Sequence, residues 1–99
     1  MAKFSKTELK IAKELAKQCA WDALNGIPGV SEVQDIKVGY DKDAEEFIVD
    51  LFIIAKFGEK IPALSWDVQN SVKESINKDL KYIKEIHVKS INIHISGVN

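Results

Sequence analysis

The chain has 99 residues, 14 Lys and Arg against 15 Asp and Glu, a formal net charge of −1 and 45% hydrophobic content. That is one domain's length, so residues 1–99 read as a single domain able to bury one modest core, and the near-zero charge argues against a strongly basic nucleic-acid binder. A single cysteine, Cys19, excludes an intrachain disulfide framework and any multi-cysteine metal site.

Ser5 followed by Glu8 has capping-box spacing, which predicts a helix starting near Ser5 or Thr7. At about 100° per residue, Leu9, Ala12, Leu15, Ala16, Cys19 and Ala23 fall on one stripe. Asn25-Gly26 supplies the stop, and Pro28-Gly29 confirms the break. Cys19 sits mid-stripe and reads as a small buried hydrophobe rather than a reactive thiol. On the opposite side Lys3, Lys6, Lys10, Lys13 and Lys17 fall within about a quarter of the circumference, and Trp21 continues their face.

From Val30 the period changes to two. Ile36, Val38 and Tyr40 alternate with Lys37 and Gly39, and Val33 is out of phase with them, which predicts a bulge or a late start near Gln34–Asp35. An acidic connection, Asp41 to Glu46, leads into a second strand, Phe47 to Ala55. Its odd positions are all apolar, and its even positions also carry Ile48, Phe52 and Ile54. Such a strand is either covered on both faces or turned towards a partner.

Pro62 suits a first helical turn, and Ile61, Ser65, Val68, Val72, Ile76 and Leu80 mark a second amphipathic helix to about Leu80. Ile86 and Val88 then alternate in one phase and Ile91, Ile93 and Ile95 in the other. The slip at Lys89-Ser90 predicts a bulge or break within one long terminal strand.

The order α-β-β-α-β gives an α+β fold: a two-layer α/β sandwich in which two helices cover one face of a small mixed three-stranded sheet. A right-handed crossover makes strands two and three parallel if they are neighbours, and the spatial order 1-2-3 is preferred over one that sets strand three beside strand one.

Several motifs in this order carry a family resemblance. Gly26-Ile-Pro-Gly29-Val30 follows an Ala-rich helix, Phe57-Gly58 precedes Lys60-Ile61-Pro62, and the second helix contains Val68-Gln69-Xaa-Xaa-Val72. The chain ends Val88-Lys-Ser-Ile-Asn-Ile-His-Ile-Ser-Gly97-Val98. Together they resemble the alkaline shock protein family, envelope-stress and general-stress proteins of Gram-positive and related bacteria, from about Ile11 to Val98. The resemblance implies a non-enzymatic cytoplasmic scaffold that associates with itself and with a membrane-anchored relative. It brings no catalytic residue and no cofactor.

No apolar h-region opens the chain, and the stretch Phe47 to Ala55 is about half the length a membrane-spanning helix needs. The expectation is a cytoplasmic protein that reaches a membrane only through a partner. His87 and His94 have no Cys, Asp or Glu set at ligand spacing, so no metal site is expected. Ser65, Ser71 and Ser75 lie on the second helix without a nucleophile elbow. Gly26-Ile-Pro-Gly29 has the GxxG form of the phosphate-clamping loop of KH domains, but it joins a helix to a strand and holds no Lys or Arg.

Two surfaces remain. Ile48, Phe52 and Ile54 are the candidate self-association interface, unless helix one or the Phe4 segment covers them. Lys10, Lys13, Lys17 and Trp21 are the candidate partner-docking face, against the plain alternative of a solvated helix face. Residues 1–25 carry a local net charge of +2. A small KH-like RNA-binding module using the lysine stripe is the competing function, and steep salt dependence would distinguish it.

Overall fold

The computed structural model describes residues 4–80 and 87–99, with the side chain of Leu80 excluded. The expectations for Lys3, Ile86 and the Leu80 side chain lie outside the described residues.

Ser5 starts the first helix. Its hydroxyl accepts from the Glu8 amide and the Glu8 carboxylate accepts from the Ser5 amide, both at 3.1 Å. The capping box thus satisfies two otherwise orphaned donors, and α1 runs Lys6–Asn25. Ala12, Ala16, Cys19, Ala20 and Leu24 are its buried residues. Four of these five side chains are an alanine or a cysteine, so the helix axis lies close to its neighbours, β1 and the second helix. The stripe read from the sequence is therefore centred slightly late: Ala20 and Leu24 are fully buried, whereas Leu9, Leu15 and Ala23 are only partly so.

The strands β1 (Val30–Asp41) and β2 (Glu46–Ala55) form an antiparallel hairpin. Its turn is held by the Asp41 carboxylate, which accepts from the Asp43 and Ala44 amides at 3.0 and 3.2 Å. The same carboxylate accepts from Lys89 Nζ at 2.9 Å, which holds its pKa below the ordinary value and pushes that of Lys89 up. The slip expected around Gln34 is present as a bulge between Val33 and Asp35, which puts Val33 opposite Ile53 and Ile36 opposite Leu51 on one face. β1 begins at Val30, with a further irregularity before Glu32.

The second helix, α2 (Ile61–Leu80), returns the chain so that β3 (Val88–Val98) pairs parallel with β2, giving the sheet order β1-β2-β3. Gly29 permits the close approach of this helix: a Cβ there would lie 2.8 Å from Leu64 Cδ1. Leu64, rather than Ile61, fills the first buried position of α2, ahead of Val68, Val72 and Ile76. The slip at Lys89 is also present, with Val88 opposite Phe47 and Ser90 opposite Ile48. A second irregularity follows at Ser96, between Ile95 and Gly97.

Both helices cover the same face of the sheet. Phe47, Val49, Leu51, Ile53 and Ala55 of the central strand are all essentially inaccessible on that side. At one end Phe47 meets Phe4 edge-on at 5.6 Å and Tyr40 at 5.0 Å, so the Phe4 segment closes the helix side of the core, and among the described residues no element covers the other sheet face.

Candidate interaction surface

The uncovered face is built by the even positions of β2 and their neighbours. Ile48 lies between Gly39 and Ser90, Asp50 between Lys37 and Asn92, and Phe52 between Asp35 and His94. Ile48, Phe52 and Ile54 are half-buried, and Phe52 is flanked by side chains of the neighbouring strands. His94 stacks on the Phe52 ring at 4.5 Å with the planes 9° apart, and Lys37 Nζ stands 5.4 Å from the same ring's centroid. Asp50 Oδ1 accepts from Asn92 Nδ2 and from His94 Nε2, each at 3.2 Å.

The two bulges also contribute. Gln34 from β1 and Ser96 from β3 hydrogen-bond to each other, although they belong to strands on opposite sides of β2. Each bulge places one extra side chain where the ladder has no position for it, and the two meet across the central strand. The face is thus a mainly apolar row, interrupted by the hydrogen-bonded Asp50 and flanked by polar side chains, a composition compatible with a contact surface with a wet rim.

On α1, Lys10, Lys17 and Trp21 are exposed and Lys13 is half-buried. Trp21 keeps 41% of its surface in water. Lys13 and Lys17 border a shallow cleft of about 400 Å³ shared with Glu14, Asp35 and Lys37, so the stripe runs beside β1 and meets charges of both signs. The KH-like loop does not join two helices: residues 26–29 connect α1 to β1, as the sequence order requires.

Cys19 is buried, with its sulfur 3.6 Å from Asp79 Oδ2. Burial first, and the Asp79 charge next, push the thiol up to about 11 from 9.0. A raised pKa in the folded state stabilises the fold fully below pH 9.0, and this contribution is lost as the pH rises towards 11. Cys19 is therefore expected to react with a disulfide reagent at pH 8 only slowly in the native protein and at the ordinary thiol rate in urea. Equal rates would show the thiol to be accessible and ionisable in the fold.

Among the described residues no group of three His, Cys, Asp or Glu could hold a metal ion, and no helix is long and apolar enough to cross a membrane. Two apolar residues not singled out from the sequence are prominent. Phe57 is 86% exposed beside Gly58, which has φ +88°, and Trp66 on α2 is 66% exposed. Trp66 was legible in principle, because it falls on the far side of the helical wheel from Leu64, Val68 and Val72.

The model of the alkaline shock protein 23 family, described as having a cell envelope-related function, matches residues 14–99. The uncharacterized protein YloU of Bacillus subtilis (strain 168) is 32% identical over 57 residues, which cover 58% of this chain and 44% of that protein. The match thus spans less than half the length of that relative. Among solved structures, one form of the MamM CTD aligns with a TM-score of 0.56 at 14% identity, covering 85% of this chain and 95% of the other. A zinc form of a MamM CTD variant aligns at TM-score 0.55 and 12% identity, covering 85% and 84%. At such identities the likeness is one of fold.

Proposed function

The chain belongs to the alkaline shock protein 23 family, whose function is cell envelope-related, and from that premise we propose that it is a non-catalytic interaction protein. It self-associates and docks onto a membrane-anchored partner carrying an acidic segment. One observation supports the reading most: among the described residues the three-stranded sheet has a helix layer on one side, and the other side presents Ile48, Phe52 and Ile54 in one row broken only by Asp50. Large apolar side chains aligned on an uncovered face gain by meeting another surface.

Self-association through this face is tested by light scattering across a concentration series at low and high salt. Wild type is expected to form assemblies that persist in high salt. Phe52→Glu introduces a charge into the contact and is expected to lower the assembly mass while far-UV circular dichroism stays unchanged. Wild type that is monomeric at high micromolar concentration removes the reading. Association that falls steeply with salt, together with RNA binding, would favour the lysine stripe as a nucleic-acid surface.

A further inference from the structure

The outer edge of β3 is the second surface that the fold leaves open. The two sheet edges differ in how they are protected. β1 carries Glu32, Asp35 and Lys37 and the Gly39 break in side-chain cover, features that discourage strand addition. β3 is regular from Ser90 to Ile95, the six residues between its two irregularities. That segment, Ser-Ile-Asn-Ile-His-Ile, has three β-branched isoleucines and no Lys, Glu, Asp, Pro or Gly. Among the described residues its outer backbone donors and acceptors have no strand partner, since β3 ends the sheet. Gln69 Nε2 reaches the Ile91 carbonyl only at 3.5 Å, a bond that a strand amide would better.

We propose that this edge pairs antiparallel with the same edge of a second copy, joining two sheets into one of six strands. The segment is complementary to itself about a two-fold axis at Ile93. In that register Ile93 faces its own copy and Ile91 faces Ile95 on the helix side, while Asn92 faces His94 on the open side. Apolar side chains meet apolar ones, an amide meets an imidazole, and no like charges are opposed. The nearly neutral chain adds little repulsion between copies. Trp66 fits the same axis. It lies one helical turn before Gln69 on α2, whose side chain reaches β3, so the two copies' indoles extend the helix layer over the new seam.

The inference rests on the self-association reading but uses an edge where that reading uses a face, and the test separates them. Residue-resolved amide exchange is followed at low and high micromolar concentration in wild type and in Phe52→Glu. Alternate amides within Ser90–Ile95 are expected to slow by about tenfold or more at high concentration in both proteins, with Phe52→Glu remaining a dimer. In a Cys19→Ala background, Ile93→Cys places one thiol at the axis, where opposed Cβ atoms are about 4.5–5.5 Å apart, a span suited to a short bis-thiol crosslinker rather than a direct disulfide. Such a crosslinker is then expected to give a covalent dimer, and Ser31→Cys on the β1 edge is expected to stay monomeric. Concentration-independent exchange within Ser90–Ile95 overturns edge pairing; if assemblies still form and Phe52→Glu reduces them to monomers, the face reading survives alone. Wild type monomeric at both concentrations overturns both.

Discussion

Phe47→Ala is expected to destabilise the fold by about 3–5 kcal/mol. Phe47 is 1% exposed at the head of the central strand and is one of three rings in mutual contact. Phe4 meets it and Tyr40 edge-on, at 5.6 and 5.7 Å. Removing its ring takes away its burial and two of the three ring contacts, leaving only that between Phe4 and Tyr40. Phe4 comes from the segment just before α1 and Tyr40 from the end of β1, so the void would open where three parts of the chain meet. A domain of this size has on the order of 5–15 kcal/mol in total, so the variant should sit near its unfolding midpoint at modest urea. A urea titration followed by circular dichroism checks this. A loss below about 1 kcal/mol would mean that the cluster relaxes into the space and does not organise that end of the core.

The contrast with Phe52 shows what the sequence reveals and what it does not. Both are phenylalanines on the same strand, five residues apart, and strand alternation alone puts them on opposite faces. The two expected bulges were legible for the same reason. A single extra residue reverses the phase of the apolar pattern, as between Val33 and Ile36 or between Val88 and Ile91. The irregularity at Ser96 leaves no such trace, because Gly97 and Val98 that follow it are too few to show a phase. Nor does local sequence reveal that Gln34 and Ser96 meet across β2, or that His94 covers Phe52. Those contacts depend on the register of strands joined by the hairpin and by α2, and register is fixed by the whole buried face.

The helices show a different limit. The period identifies the buried side of α1 but not its width, so Ala20 and Leu24 were missed although both are fully buried. In α2 the expected stripe began at Ile61, which is exposed in the first turn, and Leu64 takes the buried place beside Gly29. Where an element begins to touch its neighbour is a property of the connection before it. Here that connection turns at Gly58 and leaves Phe57 in solvent.

The lysine stripe yields the second large expected effect. Lys10→Glu/Lys13→Glu/Lys17→Glu should weaken docking onto an acidic partner segment while leaving the fold intact, since Lys10 and Lys17 are exposed and Lys13 is only half-buried. The formal charge would fall from −1 by six, to −7. An exposed ion pair contributes about 0.2–1 kcal/mol, and each reversal replaces an attraction by a comparable repulsion, so the three together weaken docking by about 1–6 kcal/mol. The same stripe is expected to bind a bare membrane only weakly. A lysine near an anionic surface contributes about 1 kcal/mol, but salt screens it within about 10 Å. Glu14 and Asp35 in the adjoining cleft offset part of that charge. Trp21, two-fifths exposed at the end of the stripe, provides the reporter. With Trp66→Phe as background, its emission should shift on adding the anchored partner and change little on adding anionic vesicles alone. Co-sedimentation of wild type with bare anionic vesicles at low micromolar lipid would replace indirect anchoring by direct membrane residence. Undiminished recruitment of the triple variant would reduce the stripe to a solvated face that keeps the helix soluble.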